Sequence, residues 1–182
     1  VSEIKDLEIE CKEKEDGRGL GVYLADSTID SKFTNCSITG NRIEIDGYCS
    51  AMIREAYASE FIHCINNADI IYNNDTQIVA GLVCEADNCI FDKCENNGNI
   101  ATTKAYVVGG IIAQAKNCII KDCINRGDIT TYGYTAGIVA GLTNTDNRPC
   151  TTSITGCTNE GKVESIAKGN HTYTAGICII YN

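Results

Sequence analysis

The chain has 182 residues and a formal charge of −9, which suits one domain with at most a small extension. An acidic protein repels phosphate backbones and anionic headgroups, so neither nucleic acid nor an anionic lipid surface is an expected partner. No apolar run approaches the roughly 18 residues that a membrane span needs, so no membrane insertion is expected. The chain starts at Val1 without a recognisable signal peptide, which indicates a mature protein or an excised piece.

The composition predicts an all-β protein with many turns. Isoleucine occurs 26 times and leucine only 5 times, while threonine, asparagine and glycine occur 17 times each. Isoleucine and threonine are stiff, β-branched residues that favour strands, whereas asparagine and glycine favour turns. A hydrophobic content of 43% is too high for a disordered chain.

The N-terminal segment differs from the rest of the chain. Residues 1–18 are predicted to form a cap or a partial first turn, because the stretch from Lys5 to Asp16 is dense in charge. Such a cap would cover the exposed strand edge at that end of a stacked fold. Residues 19–182 are predicted to form the repeat domain.

Two sequence signatures recur with a period of about thirty residues. The first is a small residue before an apolar run, as in Gly109-Gly110-Ile111-Ile112, and it recurs at Gly21, Ala51, Gly81, Gly110, Gly137 and Gly176. The second has the form Cys-x-Asn-x-Gly-x-Ile, and its first position recurs at Leu7, Cys36, Cys64, Cys94, Cys123 and Cys157. Two independent signatures with one period indicate a repeat architecture.

The repeat predicts a right-handed parallel β-helix of about six turns. Each unit holds two or three short strand-like runs, and each Asn-x-Gly bend suits a corner of a coil. Equivalent strands would stack in parallel about 4.8 Å apart, so identical residues would form ladders along the coil. The right hand follows from the strong preference of parallel crossover connections. A β-propeller with four short strands per blade is the alternative, although the units are slightly short for it.

The twelve cysteines allow three interpretations, of which a buried ladder of free thiols is preferred. Free cysteine packs as a small hydrophobe, and five of the cysteines recur at the repeat period. Neighbouring turns would also lie within bridging distance, so disulfides such as Cys89–Cys118 are an alternative. Zinc is not expected, because structural sites pair cysteines two to four residues apart and the spacing here is five. No cofactor is predicted.

Tyrosines provide the predicted ligand surface. Tyr48, Tyr134 and Tyr173 precede the repeat glycine position by three residues, and Tyr106 precedes it by four, so they align as a stripe. Such a stripe suits the apolar face and the hydroxyl groups of a sugar, although it is also typical of a purely structural ladder. Two insertions, from Thr143 to Thr152 and from Ser165 to Thr174, would emerge as loops beside it. The predicted ligand-binding residues are Tyr106, Tyr134, Tyr173, Asp146, Arg148 and His171.

No convincing catalytic constellation stands out in the sequence. His63 precedes Cys64, but neighbours in a strand face opposite sides, so the histidine is expected outside and the cysteine inside. Charged residues that the repeat brings together are Asp92, Lys121, Asp122, Glu95 and Arg126. They would be the candidates for a carbohydrate-active enzyme, and a solvated face of alternating charge is the preferred interpretation.

The stretch from Gly109 to Ile129 resembles most closely the GLUG-type repeats of bacterial surface proteins, and the resemblance covers about 19–180. In that family such repeats form β-helical parts of large secreted or wall-attached proteins, including adhesin-like proteins and non-catalytic parts of IgA-cleaving metallopeptidases. The resemblance implies an extracellular or cell-surface address.

The resemblance and the tyrosine stripe together favour a non-catalytic module that binds a glycan or a host surface protein, or that serves as a rigid stalk. The alternatives are a lyase or hydrolase acting on polysaccharides and an accessory domain of a larger surface protease. The last predicted strand, from Gly176 to Tyr181, ends without a polar cap. We therefore expect further domains or another subunit to cover that edge.

Overall fold

The computed structural model describes residues 2–11, 24–40, 42–43, 49–72, 78–143, 151–167 and 172–180. These ranges form short β-strands. They contain no helix, and therefore none that is long and apolar enough to cross a membrane.

The strands follow one another in turns, and the same order recurs from turn to turn. The chain begins with β1 (Ser2–Lys5) and β2 (Glu8–Cys11). Next come β3 (Ala25–Ile29), β4 (Ser31–Thr34), β5 (Ser37–Gly40), β6 (Arg42–Ile43) and β7 (Cys49–Ser50). The following turn holds β8 (Ile53–Tyr57), β9 (Glu60–Ile62), β10 (Ile65–Asn66), β11 (Asp69–Tyr72) and β12 (Ile78–Ala80).

The same succession continues to the end of the described chain. It holds β13 (Val83–Asp87), β14 (Ile90–Asp92), β15 (Glu95–Asn96), β16 (Ile100–Thr102) and β17 (Val107–Gly109). Then come β18 (Ile112–Lys116), β19 (Ile119–Lys121), β20 (Ile124–Asn125), β21 (Ile129–Thr131) and β22 (Tyr134–Ala136). The last strands are β23 (Val139–Leu142), β24 (Ser153–Thr155), β25 (Thr158–Asn159), β26 (Val163–Ser165), β27 (Thr174–Ala175) and β28 (Cys178–Ile180).

Equivalent strands of successive turns pair in parallel and form five sheets, each five or six strands deep. We number the sheets by their strands: sheet 1 is β1-β4-β9-β14-β19-β24, sheet 2 is β2-β5-β10-β15-β20-β25, sheet 3 is β6-β11-β16-β21-β26, sheet 4 is β7-β12-β17-β22-β27 and sheet 5 is β3-β8-β13-β18-β23-β28. Ser31 pairs with Ser2, 29 residues earlier, which is the predicted period. The predicted all-β parallel solenoid is therefore confirmed, and the propeller alternative is wrong because each strand pairs with its counterpart one repeat away.

Residues with left-handed backbone make the corners on either side of sheet 1. Between sheets 1 and 2 they are Asp6, Asn35, His63, Lys93, Asp122 and Gly156, and between sheets 5 and 1 they are Asp30, Ala58, Asn88 and Asn117. Asparagine and aspartate tolerate this conformation better than other non-glycine residues, which explains their frequency here. A cysteine follows most of these corner residues. The five-residue spacing from Cys89 to Cys94 therefore spans the three-residue strand β14 and the corner residue Lys93.

The interior of the coil is a continuous apolar core built from ladders of equivalent residues. Phe33, Phe61 and Phe91 stack with ring centroids 5.1 and 4.7 Å apart, and all three are buried. The aromatic column continues as Ile120 and Ile154 in the later turns, because Phe91 pairs with Ile120 and Ile120 with Ile154. Equivalent apolar residues thus stack directly, as the repeat predicts.

A column of five cysteines runs through this core. The five lie at equivalent positions in the order Cys36, Cys64, Cys94, Cys123 and Cys157, and each thiol donates to a backbone carbonyl oxygen, as Cys94 does to Phe61 at 3.3 Å. Cys89 and Cys118 form a second, shorter column, and their thiols donate to the carbonyl oxygens of Ala56 at 3.3 Å and Ala86 at 3.4 Å. The ten cysteines with described side chains are free thiols, eight of them buried, as the buried-ladder interpretation requires.

The thiol column predicts a specific labelling pattern. Only a thiolate attacks a thiol reagent, and burial raises the pKa of the Cys94 thiol well above its usual range. We expect Cys94, which is fully buried, to be labelled at least about 100-fold more slowly in native protein than in denaturant, because labelling requires local opening. Mass spectrometry of peptides labelled over time measures this, with half-buried Cys178 as the faster internal reference. Equal rates for Cys94 and Cys178 would contradict the buried column.

A column of buried asparagines closes the corner after sheet 2. The side-chain Nδ2 of Asn66 donates to Oδ1 of Asn96 at 2.8 Å, and the same bond links Asn96 to Asn125 and Asn125 to Asn159, each at 2.7 Å. Each Nδ2 also donates to the carbonyl oxygen two residues ahead, as Asn125 does to Gly127 at 2.9 Å. Asn66, Asn96 and Asn125 are fully buried. The asparagines therefore close the corners by binding their own backbone, at the Asn-x-Gly bends that the sequence predicts as corners of the coil.

A second, smaller apolar cluster lies outside the coil, where sheets 4 and 5 meet. Val79 and Val108 point into the main core, whereas their neighbours Ile78 and Val107 point to the other side. There they pack with small residues of both sheets, namely Ala80, Cys84, Ala113, Ala136 and Ala140. Sequence analysis did not predict this cluster, which fixes the base of the tyrosine surface described below.

Candidate tyrosine binding surface

Three predicted tyrosines form one continuous row on the outside of sheet 4. The ring of Tyr134 contacts Tyr106 edge-on, with centroids 4.9 Å apart and planes at 80°. On its other side Tyr134 stacks on Tyr173, with centroids 5.4 Å apart and planes at 10°. Tyr106 is 51% exposed and Tyr173 is 57% exposed. We call Tyr106, Tyr134 and Tyr173 the tyrosine row.

The pairing register of the strands in sheet 4 determines the position of the tyrosine row. Ile78 pairs with Val107 and Val107 pairs with Tyr134, so Tyr134 continues an outward column whose first two members lie in the outer apolar cluster. Tyr173 directly precedes Thr174, the register partner of Thr135, and therefore lies in the turn beyond Tyr134. The column thus passes from buried aliphatic residues to half-buried Tyr134 and exposed Tyr173, so the aromatic surface is anchored at one end.

A tight approach of two chain segments brings Tyr106 beside Tyr134. The amide of Tyr134 donates to the carbonyl oxygen of Tyr106 at 2.7 Å. Gly133 permits this contact, since a Cβ there would stand 2.1 Å from the same oxygen. Thr131, which is buried, holds the approach by donating its hydroxyl to the carbonyl oxygen of Ala105 at 3.3 Å. Side-chain hydrogen bonding with Tyr106 raises the pKa of the Tyr134 hydroxyl.

The remaining predicted ligand residues lie outside the described part of the chain. These are Asp146, Arg148 and His171, together with Tyr48 of the proposed stripe. Both insertions keep the flanking strands paired: Ile119 pairs with Ser153 across the first, and Val139 pairs with Cys178 across the second. The strand stack therefore accommodates the longer repeats.

The charged residues considered for catalysis contact charged neighbours within a turn or across turns. Lys121 pairs in register with Asp92, and its Nζ lies 3.7 Å from Asp122. Arg126 contacts Glu95 at 2.5 Å and Glu160 at 3.3 Å. These contacts agree with the preferred interpretation of a solvated face with alternating charges.

His63 and Cys64 lie as predicted. His63 is exposed at a left-handed corner and Cys64 is fully buried, so the two side chains do not face each other. Among the residues that the structure describes, no three His, Cys, Asp or Glu side chains are grouped to hold a metal ion.

Sequence analysis missed one surface feature, a groove on the outside of sheet 5. It is lined by Tyr57, Glu85, Ala86, Asp87, Gln114, Lys116 and Thr143. Its members occupy equivalent positions in successive turns but differ in chemistry, so a search for repeated residues does not reveal them. The sequence signal that could have indicated the groove is Tyr57, an exposed aromatic residue at the end of β8.

Comparison of the sequence with protein-family models and with curated proteins gave no match. The resemblance to GLUG-type repeats therefore stays a prediction from the residues themselves.

Proposed function

We propose that this chain is a non-catalytic β-helical module of a secreted or cell-surface bacterial protein that binds glycans through its tyrosine row. One observation carries the proposal: three tyrosine rings, of which Tyr106 and Tyr173 are exposed and Tyr134 is half-buried, lie in contact along one outer face of the solenoid. An aromatic face covers the apolar side of a sugar ring, and the phenolic hydroxyl exchanges hydrogen bonds with the sugar's hydroxyls.

The solenoid supports binding by holding the rings in place. Tyr134 is half-buried between two other rings, and the backbone below it belongs to a parallel sheet anchored by the outer apolar cluster. Ordering a side chain on binding costs about 0.5–1.5 kcal/mol, so rings that are already ordered bind more tightly. The resemblance to GLUG-type repeats supports the surface location, and the stacked turns would also give such a module stiffness.

The experiment is a broad glycan array probed with wild-type protein and with the double variant Tyr134→Ala/Tyr173→Ala. We expect saturable binding that weakens at least about tenfold in the double variant, because buried aromatic contacts at interfaces contribute 1–2 kcal/mol or more each. Tyr132→Ala is the matched control, since Tyr132 is 52% exposed but takes no part in the ring contacts of the row. It should bind as the wild type does.

Other outcomes would replace this proposal. Absence of binding to every glycan would contradict it and favour a stalk or a module that recognises protein. Binding that survives the double variant would place the site elsewhere. Shortened glycan products after incubation would favour the enzyme alternative.

A further inference from the structure

The groove on sheet 5 lies between two outward rows of side chains. One row contains Glu85 and Gln114, which pair in register. The next position of this row is Gly141, which pairs with Gln114 and has no side chain, so the groove is open there. The other row contains Tyr57, Asp87 and Lys116. Ala86 and Ala115 point inward between the rows, so the backbone forms the floor. The space measures about 260 Å³, which is small for a drug-sized ligand and suits one compact ring.

The lining combines one aromatic wall with polar groups of several kinds. Tyr57 stands at one end and is 40% exposed, so a face of its ring is available. Glu85 offers carboxylate acceptors, and Gln114 offers both a donor and an acceptor. Thr143 adds a hydroxyl at the far end. An aromatic face beside mixed donors and acceptors suits a ligand with an apolar face and several hydroxyl groups.

The charges of the groove select against anions. Lys116 is neutralised by Asp87, whose Oδ2 lies 3.3 Å from Nζ. The nearby guanidinium of Arg54 is held by Asp26 and Glu55. In the described part of the chain no ion pair involves Glu85, on which the charge of Arg54 acts only from beyond ion-pair distance. Burial, with the charge of Glu55 as a second cause, raises the pKa of Glu85, as expected for a carboxylate in a negative environment.

We propose that this groove is a second binding site, separate from the tyrosine row, that takes a single neutral sugar ring and excludes acidic sugars. The ring lies against Tyr57, and its hydroxyl groups donate to Glu85 and exchange hydrogen bonds with Gln114. The inference rests on the groove alone and does not depend on the tyrosine row.

The test is a titration of isotope-labelled full chain followed by amide chemical shifts. The probes are methyl β-D-glucopyranoside, which is neutral, and D-glucuronate, which is anionic. For a ligand of this size we expect a dissociation constant of about 1–10 mM for the neutral sugar, seen as shifts at the amides of Ala86, Ala115 and Thr143. D-glucuronate should bind at least about tenfold more weakly. Tyr57→Ala should remove the shifts, and Ile119→Ala, an exposed residue on sheet 1, should keep them.

Each outcome separates this site from the tyrosine row. Shifts at the groove that vanish in Tyr57→Ala support the proposal, whatever happens at Tyr134 and Tyr173. Shifts confined to the tyrosine row, no shifts at all, equal binding of both sugars, or groove shifts that persist in Tyr57→Ala would overturn it. The amide spectrum of Tyr57→Ala also reports directly whether that variant is folded.

Discussion

Replacing Gly110 by alanine is expected to reduce the free energy of unfolding by about 3 kcal/mol or more, the largest effect we predict for a single methyl group. A Cβ at this position would stand 2.0 Å from the carbonyl oxygen of Gly137 in the next turn and 2.7 Å from Oδ1 of Asn125. The two turns would have to separate. The amide of Gly110 would then lose its 3.0 Å hydrogen bond to the carbonyl oxygen of Ala136.

The same column provides the control for this substitution. Gly176 occupies the equivalent position in the last turn, and a Cβ there would meet no atom within 4 Å. Gly176→Ala should therefore be neutral or stabilising by up to about 1 kcal/mol, through a less flexible unfolded chain. Urea unfolding followed by circular dichroism measures both variants. Equal stability of Gly110→Ala and Gly176→Ala would show that the turns are not packed as closely as described.

Ala51 shows how the fold accommodates a side chain at this position. It is the equivalent of Gly81 in the preceding turn of the repeat. Gly81 donates its amide to the carbonyl oxygen of Gly109, whereas within the described residues Ala51 makes no such bond. A methyl group here therefore coincides with a lost contact between turns, as we expect for Gly110→Ala.

Asn125→Ala is the second substitution with a large expected effect, a loss of about 3–5 kcal/mol in the free energy of unfolding. The change removes the acceptor of Asn96 and both hydrogen bonds that Asn125 Nδ2 donates, to Asn159 and to the carbonyl oxygen of Gly127. Asn125 and Asn96 are fully buried, so water does not replace these bonds. An unpaired buried polar group costs about 1–3 kcal/mol.

An exposed asparagine pair beside the buried column gives a matched comparison. Nδ2 of Asn97 donates to Oδ1 of Asn67 at 2.8 Å, with a geometry like that of the buried bonds, but on the surface. Asn97→Ala should change the free energy of unfolding by no more than about 0.5 kcal/mol, because water takes over the bond. A similar cost for the two substitutions would contradict the assigned role of burial.

Structural features built from the same residue type in successive turns could be predicted from the sequence, because a solenoid places equivalent residues in one column. The asparagine corners followed from Asn66, Asn96 and Asn125 at one spacing. The tyrosine row followed from the alignment of Tyr134 with Tyr173. In both cases strand register converts sequence period directly into contact.

The remaining features depend on residues that differ from turn to turn. The groove joins Tyr57, Asp87 and Lys116, which share a register position but no chemistry, so periodicity alone does not group them. The outer apolar cluster could not be predicted, because it forms only where sheets 4 and 5 meet. The sequence of the short strands does not show how two sheets meet. The corner residues, by contrast, are indicated by a sequence pattern, because asparagine precedes Cys36, Cys89 and Cys118.

The central claim, that the tyrosine row is the glycan-binding surface, is tested most directly by chemical nitration of tyrosines with and without a glycan that the array identifies. We expect bound glycan to protect Tyr106, Tyr134 and Tyr173 from nitration, while exposed Tyr132 reacts at an unchanged rate, as mass spectrometry of the peptides would show. Saturating glycan that leaves the nitration of all three row tyrosines unchanged would contradict the claim.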